Sequence, residues 1–338
     1  MKQIVCQGPY KFIIKNSSIP QISNNEALVR IRRIGICGTD FHAYKGEQPY
    51  FTYPRILGHE ISGEIVKINN PDTSLKTGDT VMINPYQECG DCVACKNGKS
   101  NCCKHLKVRG VHQNGGMQEY VAIPVTHLIN TNFINLDASA MVECLSIGAH
   151  AVRRANITKG ETVMVIGAGP IGLGTMKFAN LEGAKVIAMD INRNRLNFSK
   201  KWASVEHLVH VKSNNVIDKL KEITNGDMPS IIFDATGSKK SMQTAINYVA
   251  HGGKVVYVSL IKDNLSFYYP DFHEKEITLL SSRNATEIDF QKVLQAIRSK
   301  EIDIDRFITH KVNFDNFIEE FKTLMDPETN VIKAMIQI

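Results

Sequence analysis

The sequence predicts an α/β protein, with a doubly wound, six-stranded parallel sheet in its second half and a mainly β domain carrying a cysteine-bearing lobe in its first. Three observations predict it. The apolar run Thr162-Val-Met-Val-Ile166 leads at once into Gly167-Ala-Gly169-Pro170-Ile171-Gly172 and a helix-like stretch to about Asn180, and strand-like and helix-like segments alternate from there to residue 281. Before residue 146, short runs such as Glu26–Arg32 alternate apolar and polar residues between turn signals, as half-buried strands do. Between these regions, four cysteines at Cys89-x2-Cys92-x2-Cys95-x7-Cys103 need a bound ion to organise a loop too polar to have a core of its own.

The chain has 338 residues, 43% hydrophobic and 22% charged, enough for two ordinary domains. We expect one domain over 1–146 with its lobe at 87–104, a nucleotide-binding domain over 147–281, and a return to the first domain over 282–338. The net charge of +6 is dispersed along the chain, which argues against a nucleic-acid partner. No apolar run reaches membrane-spanning length and the first residues lack a secretory pattern, so we expect a cytoplasmic protein with reduced cysteines.

In chain order, the first chemical signal is Gly35-Ile-Cys37-Gly-Thr39-Asp40-Phe-His42, which suits a loop opening a short helix capped by Thr39 or Asp40. A lone cysteine there would ordinarily be a small buried hydrophobe. Next, Arg55-Ile-Leu-Gly58-His59-Glu60-Ile-Ser-Gly63 interrupts an apolar strand with two adjacent metal-ligand side chains. On its own it reads equally well as a turn with a satisfied histidine. The four cysteines Cys89, Cys92, Cys95 and Cys103 then fit a closed tetrahedral zinc site, with Cys102 a spare thiol; a disulfide cluster would need an oxidising compartment. Lys96, Lys99 and Lys104 either offset the charge of the thiolates or simply solvate the loop. Further on, Glu143 lies in an apolar helical run from Ala138 to Arg154, where a carboxylate needs a partner: an arginine, or a metal.

In the second half, Gly167 allows a tight turn, Gly169 a close approach of backbone to a pyrophosphate, and Gly172 the packing of helix on strand. Pro170 and Ile171 open that helix, whose N-terminus offers N–H groups to phosphates. Asp190 ends the next strand, where it suits the ribose hydroxyls of NAD and disfavours a 2′-phosphate, although Arg193 and Arg195 stand close by. Ser230–Gly237, Lys254–Leu260 and Ile277–Arg283 read as further strands, with Ser241–His251 a helix. Helices at Asp289–Ser299 and Phe314–Met325 follow, then a terminal strand within Val331–Ile338.

Together, and in this order, these elements resemble the zinc-dependent medium-chain alcohol and polyol dehydrogenases over essentially the whole chain. The runs Phe41–Glu60, Gly110–Gly116 and Ser281–Thr286 resemble the polyol and sugar-acid branch. Two positions depart from the pattern: Asn69 stands for a glycine, as a residue that tolerates a left-handed turn, and Cys144 for the proline after Glu143, where it is a further soft donor. The resemblance implies a GroES-like catalytic domain joined to a Rossmann domain, and two zinc ions per chain. Cys37, His59 and a glutamate, either Glu60 or Glu143, would hold the catalytic zinc, the other glutamate acting through water or by exchange. Thr39 and His42 would relay the proton of a substrate hydroxyl, and a nicotinamide held across the cleft between domains would accept hydride. Arg283 would either bind a substrate carboxylate or serve structurally. The implied reaction oxidises a secondary alcohol of a small L-galactonate-like sugar acid or polyol with NAD, with L-threonine 3-dehydrogenase-type oxidation as the alternative. A homodimer or homotetramer is implied as well.

Overall fold

The computed structural model describes residues 1–212 and 215–338. In chain order the first elements are β1 (Lys2–Gly8), β2 (Lys11–Asn16), β3 (Glu26–Ile36), α1 (Gly38–Lys45), β4 (Arg55–Ile56), β5 (Glu60–Asn69), β6 (Thr80–Ile83), β7 (Tyr86–Gln87), α2 (Val93–Lys96), β8 (Lys107–Val108), β9 (Tyr120–Pro124), β10 (Leu128–Asn130) and α3 (Leu136–Ala155). Next come β11 (Thr162–Ile166), α4 (Pro170–Leu181), β12 (Lys185–Asp190), α5 (Arg193–Trp202), β13 (His207–His210), α6 (Val216–Ile223), β14 (Ile231–Asp234), α7 (Lys239–Thr244), β15 (Lys254–Tyr257), α8 (Tyr269–Glu274) and β16 (Thr278–Ser281). The chain ends with α9 (Glu287–Arg298), α10 (Ile304–Phe307), β17 (Ile308–Asn313), α11 (Phe317–Leu324) and β18 (Lys333–Gln337).

These elements form two compact units, Met1–Cys144 with Leu294–Ile338, and Leu145–Val293. The return to the first unit is at Leu294 rather than at residue 282, inside α9.

In the first unit, β1 pairs antiparallel with β2 and β4. A seven-stranded sheet runs β10-β6-β5-β3-β18-β17, with β9 also on β3. The terminal strand β18 does return to this unit, antiparallel to β3 and parallel to β17. Its core joins Ile31, Ile34, Leu57 and Ile61, all nearly inaccessible, to Phe317 and Phe321 of α11. Phe12 stacks on Tyr44 at 4.9 Å and meets Phe321 edge-on at 5.0 Å, which docks α11 by ring contacts as well as by area. Asn69 departs from its expected conformation: it ends β5 in extended form opposite Glu26, and its amide donates to the Ser23 carbonyl and the Asn24 side chain.

In the second unit, six parallel strands run β13-β12-β11-β14-β15-β16. Strand β11 is buried from Val163 to Ile166 and β14 throughout, the pattern of a sheet covered on both faces. Strand β13 was not located by pattern, because His207-Leu-Val-His210 is half polar and sits at an edge. The helix expected over Ser241–His251 is shorter, α7 giving way to a 3₁₀ turn at Ala245–Tyr248.

A buried network joins the second half of α3 to α9. Asp289, fully inaccessible, accepts from Arg153 Nε at 2.7 Å and from the Thr286 N–H and hydroxyl at 2.9 Å, and lies 2.9 Å from His150 Nδ1. Burial opposes its charge, but these partners hold its carboxyl well below the usual range. Asp289→Asn is therefore expected to cost about 3 kcal/mol, the low end for breaking a buried ion pair because Arg153 is partly exposed. The contribution is complete above the unfolded carboxyl's pKa and fades as pH falls below about 4. Urea unfolding of parent and variant should thus differ fully at pH 7 and converge in acid.

Candidate metal centres and nucleotide loop

Strand pairing assembles the first cluster. Gly35 of β3 lies opposite Glu60 of β5, and Ile36 opposite Ala334 of β18. The residues just past or beside these strand ends, Cys37, His59, Glu60 and Lys333, therefore gather at one place although they are distant in sequence. Gly35 is required there: a Cβ on it would lie 1.9 Å from Glu60 Oε2.

Ligand atoms of Cys37, His59 and Glu60 lie within 4.8 Å of one another. His59 is 6% exposed and Glu60 wholly buried. Among the described residues neither His59 Nδ1 nor Glu60 Oε2 has a hydrogen bond of good geometry, although the Asp40 carboxylate lies 3.9 Å from the first and the Lys333 ammonium 2.6 Å from the second. Asp40 ties the two ligand loops together, accepting from the Cys37 N–H at 2.9 Å and the Gly58 N–H at 3.2 Å, with His59 Nδ1 at 3.9 Å. The cap of α1 is thus Cys37, with Asp40 bonding back to it. Burial opposes a charge on His59, yet Asp40 and Cys37 hold its imidazole well above the ordinary value. A pocket that favours a cation so strongly fits a divalent metal with one thiolate, one imidazole and one carboxylate.

Glu143, on α3, stands outside this three-residue cluster. It accepts from the Tyr86 hydroxyl, and burial, with Glu60 adding repulsion, raises its carboxyl to about 6 against the pull of His59. Its neighbour Cys144 is also outside the cluster, and burial raises its thiol well above the ordinary value. Lys333 Nζ donates to Glu60 Oε1 at 2.6 Å; Oε2 lies at the same distance but off the bonding direction. Thr39 and His42 lie three residues apart on α1 and so share a face. His42 is exposed, with Nδ1 2.9 Å from Glu47 Oε2.

In the lobe, Cys89, Cys92, Cys95 and Cys103 bring their sulfurs within 4.8 Å of one another. The Cys92–Cys95 and Cys89–Cys103 sulfur pairs are 3.5 Å apart, near the roughly 3.8 Å edge of a tetrahedron with zinc–sulfur bonds of about 2.3 Å. Backbone N–H groups of Cys95 and Lys104 pull the Cys92 thiol down to about 6. Cys102 is exposed and not part of the set.

In the second unit, Gly167–Gly172 turns from β11 into α4. A Cβ on Gly172 would lie 1.7 Å from the Gly167 carbonyl, whereas one on Gly169 would meet nothing closer than Arg195 at 3.8 Å. The loop is thus tight on one side and open on the other, beside a guanidinium. Asp190 accepts from the Ala168 N–H at 2.6 Å and the Asn192 N–H at 2.7 Å, so the carboxylate and the loop hold each other. Arg283, in the second unit, lies exposed just past β16; the Ser282 hydroxyl and the Asn284 amide nitrogen beside it are buried without hydrogen-bond partners among the described residues.

Sequence reasoning missed Asp40 as a clamp, Tyr86, Glu47 and Lys333. Asp40 carried a signal, an acid three residues into a helix, which can bond back to the cap. Tyr86 and Lys333 carried none, being placed by pairings over long sequence separations.

A model of the alcohol dehydrogenase GroES-like domain matches residues 23–132, and one of the zinc-binding dehydrogenase domain matches residues 170–299. The chain belongs to the zinc-binding alcohol dehydrogenase family. The L-galactonate-5-dehydrogenase of Escherichia coli (strain K12) is 40% identical over 99% of this dehydrogenase and 98% of its own length. D-xylulose reductase A of Aspergillus oryzae is 31% identical over 94% of this chain and 91% of its own. Among solved structures, the rspB alcohol dehydrogenase of E. coli CFT073, complexed with the cofactor NADH, superposes with a TM-score of 0.92 at 26% identity, covering 100% of this chain and 99% of that one. No helix among the described residues is long and apolar enough to cross a membrane.

The lobe geometry makes a prediction for this dehydrogenase. Cys103→Ser should lose one zinc per chain and melt at lower temperature, while Cys102→Ser should keep the parent's zinc content. Elemental analysis with a thermal melt checks both.

Proposed function

We propose that this dehydrogenase oxidises a secondary hydroxyl of a sugar acid or polyol, of the L-galactonate type, with NAD as hydride acceptor and zinc held by Cys37, His59 and Glu60. The observation that carries the reading is the compact cluster of those three side chains, with His59 and Glu60 buried and Cys37 half-buried; the 40% identity to an L-galactonate-5-dehydrogenase supports the substrate class. Oxidation of L-threonine remains the second reading, on the shared Gly-Ile-Cys37-Gly-Thr39-Asp40 and Gly58-His59-Glu60 runs, but no observation on the fold favours it.

Bound zinc would supply a Lewis acid that lowers the substrate hydroxyl's pKa, and bound NAD the hydride acceptor. The charge balance assigns the glutamates. One thiolate and one carboxylate neutralise a divalent ion, and a second carboxylate would make the centre anionic and disfavour the alkoxide. Glu60 belongs to the compact set, so it would be the direct ligand, and Glu143, bonded to Tyr86, would act through water. Thr39 takes the hydroxyl proton as it passes its own towards His42, which is exposed and releases it to solvent. In the second unit, the open side of Gly169 and the first N–H groups of α4 would receive the pyrophosphate of a bound NAD, with Asp190 for the ribose hydroxyls and Arg195 beside the phosphates. Arg283, with the donors of Ser282 and Asn284, takes the carboxylate of the sugar acid. Eight free cysteines suit a reducing, cytoplasmic setting, and by family resemblance we take the working form to be a homodimer or homotetramer.

His59→Ala should abolish turnover and remove one zinc per chain while the lobe keeps its own. Full zinc content with persisting turnover would refute the ligand set. In a panel of sugar acids, polyols and L-threonine, NADH absorbance should rise with the sugar acids; a polyol lacking the carboxylate but turned over equally fast would remove Arg283 from substrate binding.

A further inference from the structure

The second unit holds a cleft that the reaction scheme does not use. It measures about 240 Å3, opens between α5, β13 and α6, and is lined by Arg193, Leu196, Asn197, Leu208, His210 and Lys219. Two of these side chains are permanent cations, a third is an imidazole, and none is acidic. Among the described residues neither Arg193 nor Lys219 has an ion-pair partner, and the acids of α6, Asp218 and Glu222, are not in the lining. Placement separates the cleft from the glycine loop. Arg193 is the first residue of α5 and Arg195 the third, and residues two apart on a helix point to different sides. Arg195 reaches the loop, where a Cβ on Gly169 would lie 3.8 Å from its Nη1, whereas Arg193 lines the cleft. On the opposite wall His210 pairs with Asp190 across the strands, and its Nε2 donates to the Ile191 carbonyl at 2.9 Å, which fixes the ring at the edge of the cleft.

We propose that this cleft binds a phosphomonoester, with the dianion between Arg193 and Lys219 and its organic part over Leu196 and Leu208. Charge and shape carry it. A guanidinium at the first position of a helix opposes the helix dipole, and α5 has no acid in its first turn to offset it. An anion in the cleft supplies that offset. Arginine grips two phosphate oxygens with its fork, lysine adds a point charge, and Asn197 and His210 stand beside them. Leu196 is 4% exposed and gives the floor an apolar part. The volume is several times the roughly 30 Å3 share of one water, so a small organic group fits along with the phosphate. Two sources share this chemistry: a free phosphorylated small molecule, and the 2′-phosphate of a coenzyme, since Ile191 sets the cleft next to Asp190. The proposal is independent of the zinc ligands and of the hydroxyl substrate.

The test uses the whole protein saturated with NADH, so that the glycine loop is filled, and titrates it calorimetrically with inorganic phosphate at constant ionic strength. Phosphate should bind at one saturable site per chain. Arg193→Gln and Lys219→Gln should each weaken it about tenfold, the usual loss for one hydrogen bond to a charged group. Both residues are exposed, so the variants should fold, and a thermal melt checks that they do. Lys322→Gln, at an exposed lysine of α11 in the other unit, should bind phosphate as the parent does. Absent or unsaturable binding, parent-like binding in both cleft variants, or an equal loss in Lys322→Gln overturns the proposal. NADPH then identifies the source. Displacement of phosphate by NADPH but not by NADH, with NADPH affinity about tenfold lower in Lys219→Gln, assigns the cleft to the 2′-phosphate of the coenzyme. Phosphate binding that NADPH leaves unchanged assigns it to a free phosphomonoester. Failure of NADH itself to bind would count against the coenzyme reading above, and the comparison of variants would still decide the cleft.

Discussion

The structure of the first unit depends on a local excess of buried negative charge. Asp40, Glu60, Glu143 and the Cys37 thiol lie around one imidazole, and each carboxylate is at least nine-tenths out of solvent. Buried carboxylates normally protonate or find partners. Here each has a designated answer: backbone N–H groups for Asp40, a phenol for Glu143, an ammonium for Glu60. His59 Nδ1 is left with the Asp40 carboxylate at 3.9 Å, and the Cys37 sulfur, the imidazole and Glu60 together could hold a small, highly charged cation.

The second unit solves a different electrostatic problem with backbone rather than side chains. Its glycine loop leaves one face open over the start of a helix, while Asp190 stiffens the loop from behind through the Ala168 N–H. The carboxylate proposed to face the ribose therefore also shapes this turn. Its two oxygens accept from different N–H groups, so asparagine, with one acceptor oxygen, would keep only one of the two bonds.

Much of the candidate site was legible in the chain because residues able to hold a metal or a phosphate come in short local patterns. Cys37, His59-Glu60, the four-cysteine lobe and the glycine loop each lie within a few residues of a recognisable partner, and the structure brings each set together. What was not legible is what long-range pairing supplies. Whether Glu60 or Glu143 joins the compact set depends on the register of β3 on β5 and on the Tyr86 hydroxyl. Lys333 looks like an ordinary strand lysine until β18 is placed beside β3. Asn69 was expected to turn and instead extends, because its amide is used across the strand end. The edge strand β13 was hidden by its own histidines, since an edge need not be apolar.

The pairing of β18 with β3 also sets an order of events. Lys333 and Glu60 are 273 residues apart, and the ribosome delivers one long before the other. Cys37, His59 and Glu60 emerge early, whereas the ammonium that partners Glu60 emerges almost last. Only when the last strand docks does the buried carboxylate acquire that partner. The charge balance around Glu60 is therefore completed at the end of folding, by the pairing of β18 with β3.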